Sequence, residues 1–195
     1  MGFHHVALAT HDTAATHAFY TDVMGFRLVK VVAAPTPGDQ GGWAKHFFYS
    51  TGDEGATGGD GAPGADGDSG MIAFWEIHDP TIGEGYTVDI NAVAGLPTWV
   101  NHIAFDAPTI KDLHRHRDRW RAHGHHVLEV DHEFCISVYI RDPSGNMVEF
   151  CHTTRAFTEA ESAEAEVLLR TPLPALTNDA TVTVHAPILV AGTVA

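Results

Sequence analysis

The chain has 195 residues, of which 44% are hydrophobic and 18% charged, values typical of a globular protein that buries a core. Its 25 acidic and 11 basic residues give a formal net charge of -14, which argues against a nucleic-acid partner or an anionic membrane surface. No apolar run reaches the ~18 residues that span a bilayer, no signal peptide is evident, and two cysteines are too few for a disulfide framework. We therefore expect a cytoplasmic protein.

The first half predicts a strand, a helix and three further strands. Partial alternation of apolar and polar residues over residues 3–10 predicts a half-buried strand. A helix follows, because Asp12 or Thr13 can cap it and Gly25 can end it. The three strand-like runs that come next are FRLVKVVA (26–33), WAKHFFYS (43–50) and MIAFWEIH (71–78). Between the last two lies an acidic, glycine-rich stretch, residues 51–70, which we expect to be a mobile surface loop.

The second half repeats this order. The predicted elements are a strand (99–107), a helix (109–123) closed by Gly124, and three strands (125–132, 134–142 and 146–154). We therefore predict an α+β fold of two βαβββ modules in tandem over residues 1–157, one at about 1–80 and the other at about 97–157. Residues 158–195 are expected to form a helix and a loop-like arm that docks on a second subunit.

The match between the halves predicts a metal site. His5 and His102 occupy the same position in the first strand of each module, and Glu149 lies in the last strand. Two histidines and one carboxylate suit non-haem Fe(II) and related divalent ions, because this set leaves coordination positions open. A single strand histidine is more often structural, but a symmetry-matched pair favours a metal. We predict His5, His102 and Glu149 as ligands of a divalent ion, Fe(II) before Mn, Ni or Zn.

The repeated unit with these three residues, over roughly residues 2–153, resembles the vicinal oxygen chelate superfamily, which includes glyoxalase I, extradiol ring-cleaving dioxygenases and antibiotic-resistance proteins. Within it, the run VDHEFCISVYIRDPSGNMVE (130–149) resembles the extradiol dioxygenase signature of a His, a Tyr, Asp-Pro-x-Gly and a metal-binding Glu. The resemblance implies a cup-shaped mixed sheet around the metal, a homodimer, and a catechol-like vicinal diol as the small-molecule substrate, cleaved with dioxygen. It also implies that His132 and Tyr139 face the substrate as catalytic residues.

The chemistry of these two residues fits that role. The turn at residues 142–145 folds the strand of Tyr139 back against the strand of Glu149. A Tyr hydroxyl there can donate to a metal-bound substrate oxygen, and His132 can bond the second oxygen or carry a proton. The structural alternative is that Tyr139 packs in the cup and His132 ends a strand.

Two departures from the signature keep other functions open. Residues 66–70 lack the further acid–base histidine that extradiol enzymes usually carry, and His46 and His78 are its nearest substitutes. Glu76 is a candidate fourth ligand or base, as in glyoxalase I, although a slip of the strand would put Phe74 there instead. The alternatives are therefore a glyoxalase-type metal-dependent isomerase or lyase, and a non-catalytic small-molecule (antibiotic) binding protein of the same fold.

Overall fold

The computed structural model describes residues 3–38, 41–52, 70–176 and 180–188. Most of the predicted acidic loop at 51–70 lies outside these ranges. None of the helices within the described ranges is long and apolar enough to cross a membrane.

The first module forms a four-stranded sheet. Its elements are β1 (His5–Ala9), α1 (Thr13–Ala18) continued by a π-helical turn (Phe19–Val23), β2 (Arg27–Pro35), β3 (Trp43–Ser50) and β4 (Met71–His78). The strand order is β1-β4-β3-β2, with β1 parallel to β4 and the other neighbours antiparallel. Asp12 caps α1 by accepting from the backbone N–H of Ala15 at 2.8 Å, and Gly25, at φ 79°, turns the chain into β2.

The second module repeats this arrangement after a short linking helix, α2 (Ile90–Ala94). Its elements are β5 (His102–Asp106), α3 (Ile110–Ala122), β6 (Val127–Asp131), β7 (Cys135–Arg141) and β8 (Met147–Thr153). The strand order is β5-β8-β7-β6, the same as in the first module, so the predicted duplication and α+β fold are confirmed. Thr109 caps α3 in a reciprocal capping box with Asp112.

The C-terminal segment differs from the predicted loop-like arm. After α4 (Glu159–Arg170), residues Thr181–His185 form β9, which pairs antiparallel with β6 as the fifth strand of the second sheet. The run TVTVH is rich in β-branched residues, and an unpaired strand edge on β6 is available to it. These five residues therefore complete a sheet of their own chain; docking of the arm on a second subunit stays a prediction.

Each sheet buries one face against its helix. In the first module the rings of Tyr20 and Phe74 lie 4.6 Å apart, and both side chains are fully buried. In the second, Phe150 stacks on His116 of α3 at 3.6 Å. Because side chains alternate along a strand, the residues between these core positions point to the opposite face.

Contacts divide the chain into two compact units, residues 1–103 with 141–147, and residues 104–140 with 148–195. The turn at 141–147 belongs to the first unit because Tyr20 donates to the buried carboxylate of Asp142 at 3.1 Å and Asn146 accepts from the backbone of Ile90 at 2.9 Å. The division of contacts therefore differs at this turn from the division into sequence modules.

Candidate functional site

The first predicted ligand, His5, opens β1 with an exposed side chain. Its Nδ1 lies 2.8 Å from Nδ1 of His4, and its ring lies 6.1 Å from the ring of His46 and 5.5 Å from that of Phe48. These ring contacts put His5 and His46 on the sheet face that points away from α1. Imidazole nitrogens and aromatic rings therefore meet on this face of the first sheet.

The second predicted ligand, His102, opens β5, the strand that corresponds to β1. Its Nδ1 lies 3.2 Å from the carbonyl oxygen of Trp99. Because a carbonyl only accepts, Nδ1 carries the proton, and the lone pair of the neutral ring is then on Nε2. Metal-bound histidines are commonly oriented in this way by a carbonyl on their other nitrogen.

The third predicted ligand, Glu149, is buried in β8 with 4% of its surface exposed. Ser137 of β7 donates to its Oε1 at 2.5 Å and holds the carboxylate in place. Sequence reasoning did not identify Ser137, since a serine in a strand carries no signal until the strands are paired. Glu149 is thus a buried, oriented carboxylate, as a metal ligand requires.

The predicted catalytic pair, His132 and Tyr139, is in contact. Nε2 of His132 lies 3.3 Å from the hydroxyl oxygen of Tyr139, and both side chains are half-buried. Burial raises the pKa of Tyr139 to about 12. The charge of Glu149 and a hydrogen bond to Glu149 also act to raise this pKa. The hydroxyl therefore stays protonated at neutral pH and remains a hydrogen-bond donor.

The turn that carries His132 is held in a strained conformation. Glu133 has a φ of 76°, the left-handed region that side chains other than glycine rarely adopt. Its backbone N–H donates to Asp131 at 2.8 Å, and its carboxylate binds the guanidinium of Arg155 at 2.8 Å. Strain of this kind persists where surrounding contacts determine it, and it occurs often near functional groups.

The counterpart of Glu149 in the first module is Ala73. Both β4 and β8 begin with Met followed by three buried residues, Ile72–Phe74 in one and Val148–Phe150 in the other, and the two phenylalanines face their helices. Glu76 lies three positions beyond Ala73 and therefore points to the other face of the sheet, towards α1. Its carboxylate accepts from Thr13, Lys45 and His78 at 2.7, 2.9 and 2.8 Å.

This network makes Glu76 a pH-dependent source of stability. Burial acts to raise its pKa, but the hydrogen bonds from His78, Lys45 and Thr13 outweigh burial and lower the pKa to about 2 from its usual 4.5. A lowered pKa contributes stability above the unfolded-state value, and that contribution is lost as the pH falls towards 2. We expect Glu76→Gln to cost about 1–3 kcal/mol at pH 7, with the difference from wild type shrinking between pH 5 and pH 2. Urea unfolding of both proteins across this pH range measures the difference in the free energy of unfolding. A difference that stays constant with pH would contradict the prediction.

The structure separates the two substitutes for the missing acid–base histidine. His46 shares a face with His5, and its buried Nε2 has no hydrogen-bond partner among the described residues. Burial lowers the pKa of His46, and the neighbouring His5 lowers it further. His78 lies on the other face, where it binds Glu76 and stacks on Trp43 at 4.0 Å.

Within the described residues, no three His, Cys, Asp or Glu side chains form a group that could hold a metal ion. The chemistry of the predicted donors nevertheless fits a divalent ion. The carbonyl of Trp99 orients the ring of His102, and Ser137 orients the buried carboxylate of Glu149. An oriented imidazole and an oriented carboxylate are the donor types that such ions take in proteins.

Two βαβββ modules of the same strand order define the class of this molecule, an α+β protein built from a repeated module. The family model described as the Glyoxalase/Bleomycin resistance protein/Dioxygenase superfamily matches residues 2–150. The chain belongs to this superfamily. No curated protein matches it.

Solved structures are similar to the chain at low identity. A glyoxylase/bleomycin resistance protein/dioxygenase domain from Frankia sp. EAN1pec is 19% identical with a TM-score of 0.50, over 78% of this chain and 98% of that one. Lactoylglutathione lyase from Agrobacterium tumefaciens is 23% identical with a TM-score of 0.44, over 77% and 92%. The fosfomycin resistance protein FosX from Listeria monocytogenes is 17% identical with a TM-score of 0.48, over 79% and 94%. The Frankia structure supports the fold, and none of the three assigns an activity.

Proposed function

We propose that this protein is a metal-dependent dioxygenase that cleaves a catechol-like vicinal diol with dioxygen. The observation that carries the proposal is the contact between His132 and Tyr139 beside the buried carboxylate of Glu149. This combination supplies a protonated hydroxyl, an imidazole and a negative charge on one face of the second sheet. Such groups suit a substrate that presents two adjacent oxygens.

In this proposal His5, His102 and Glu149 hold the metal ion. Held by these residues, a divalent ion such as Fe(II) would supply Lewis-acid activation of the substrate and a path for electrons to dioxygen. The carbonyl of Trp99 keeps the ring of His102 in the tautomer whose Nε2 can bind, and Ser137 keeps the carboxylate of Glu149 oriented. Both supporting contacts reduce the reorganisation that binding would otherwise require.

The two catalytic residues have different tasks. Tyr139 donates its hydroxyl proton in a hydrogen bond to one substrate oxygen, because its pKa of about 12 keeps it protonated. His132, 3.3 Å from that hydroxyl, accepts a proton from the second oxygen and holds it for return to the product.

The contacts of Glu76 favour this function over the glyoxalase-type isomerase or lyase. The isomerase or lyase would use Glu76 as a metal ligand or base. The carboxylate of Glu76 instead accepts three hydrogen bonds on the helix side of the sheet. Ala73, at the position that corresponds to Glu149, has no donor atom. A non-catalytic binding protein is the third alternative, and it has no need of the oriented donors at His102 and Glu149.

The test is elemental analysis of protein purified without added metal or chelator, followed by oxygen uptake on a panel of catechols. We expect iron or manganese near one per chain, and oxygen consumption that depends on both the metal and a vicinal diol. Nickel or zinc without oxygen uptake would contradict the dioxygenase and favour the isomerase or lyase. If the protein binds no metal even after reconstitution, both metal-dependent functions are rejected and the non-catalytic binding protein remains.

A further inference from the structure

A pair of stacked rings lies on the face of the first sheet that carries His5. His46 of β3 and Trp75 of β4 are directly opposite each other across the strand pair. Their rings are 3.8 Å apart and 12° from parallel, and the ring of Phe48 lies 4.1 Å from that of His46. We call Trp75 and His46 the stacking floor.

The stacking floor is partly exposed. Trp75 keeps 37% of its surface exposed, although it is among the largest side chains of the sheet. A large, flat, partly exposed ring of this kind gains free energy when another flat ring stacks on it.

The charge of the surrounding face favours a neutral or anionic ring. The residues that share this face with the stacking floor include Ala7 and Ala9 on β1, Ala73 on β4, and Val32 and Lys30 on β2. None of these five is acidic, although the whole chain has 25 acidic residues and a net charge of -14. The one charge among them is the positive charge of Lys30, which lies opposite Phe48.

The floor also lies beside a proposed metal ligand. The ring of His5 is 6.1 Å from that of His46 and 5.5 Å from that of Phe48. His5 and the stacking floor therefore lie on the same face of the first sheet. We propose that Trp75, supported by His46, binds the planar ring of an aromatic substrate and so selects aromatic over saturated diols. The inference rests on the proposed function for the position of the reacting oxygens.

The same strand pair provides a matched control. Trp43 and His78 are also directly opposite across β3 and β4, and their rings stack at 4.0 Å and 17°. This second stack lies on the helix side with Lys45 and Glu76. The two Trp–His pairs thus have the same chemistry on opposite faces of one sheet.

The experiment is calorimetric titration of metal-free protein with naphthalene-2,3-diol and with cyclohexane-1,2-diol. We expect the planar diol to bind about tenfold more tightly than the saturated one, since stacking needs no metal. Trp75→Leu should weaken the planar diol about three- to tenfold and leave the saturated diol unchanged. Trp75→Phe should keep most of the affinity, and Trp43→Leu should keep all of it.

Equal affinity for the two diols, unchanged binding by Trp75→Leu, or an equal loss in Trp43→Leu would overturn the proposal. If Trp75→Leu does not fold, the indole N–H resonances of the wild type provide the test, with Trp75→Phe and Trp43→Phe assigning them. The planar diol should then shift the Trp75 signal and not that of Trp43, and the reverse would overturn the proposal. If the planar diol stacks in the metal-free protein but the metal-loaded protein consumes no oxygen, the stacking proposal is retained and the dioxygenase function is rejected.

Discussion

Replacing Glu149 by Gln is expected to weaken metal binding by more than about 100-fold, beyond the 10- to 100-fold typical of losing a supporting contact. Gln keeps the size of the side chain and an acceptor for the Ser137 hydroxyl, but it removes the negative charge that neutralises a divalent ion. Because the carboxylate is 4% exposed, water cannot replace it easily. His102→Ala should have a similar effect. Metal content and competition with a chromogenic chelator measure both, with circular dichroism to confirm folding.

Glu76→Gln is the matched control, since it makes the same change in the corresponding strand of the other module. Glu76 is engaged by Thr13, Lys45 and His78, so we expect this variant to bind the metal as the wild type does while losing stability. Loss of metal from Glu76→Gln, with retention by Glu149→Gln, would refute the proposed ligand set and favour the four-ligand isomerase or lyase.

Tyr139→Phe is expected to bind the metal normally and to reduce turnover about 10²- to 10⁴-fold, the range of a general acid–base contribution. The hydroxyl that is lost contacts His132 at 3.3 Å and lies beside Glu149, whereas the ring that packs in the sheet is kept. Oxygen uptake by metal-loaded protein measures turnover, and elemental analysis measures occupancy.

Tyr49→Phe is the control for this prediction. Burial raises the pKa of Tyr49 to about 12, the same value as for Tyr139, but its hydroxyl contacts His17 on the helix side at 3.0 Å. We expect full turnover from Tyr49→Phe. Full activity in Tyr139→Phe would assign that residue to packing, and loss of metal would place it in the support of the ligands.

Local sequence signals were sufficient for the order of elements within the two modules. The two modules, the helices capped by Asp12 and Thr109, and the turn at Gly25 follow from spacing, side-chain chemistry and backbone conformation within a few residues. The histidines that open β1 and β5 could be matched because the order of elements repeats, and Glu149 was identified by its place in the last strand of the second module.

Only the tertiary structure decided which face of a strand each side chain uses. A shift of one position reverses every side chain, and sequence spacing does not determine the pairing of distant strands. Sequence spacing offered Glu76 or Phe74 as the counterpart of Glu149, whereas the strands of the structure put Ala73 there. The sequence alone could not separate His46 from His78 either, and it carried no signal for Ser137 beside Glu149. The pairing of Thr181–His185 with β6 likewise depends on an edge about 50 residues earlier in the chain, because such long-range contacts form only when the whole sheet does.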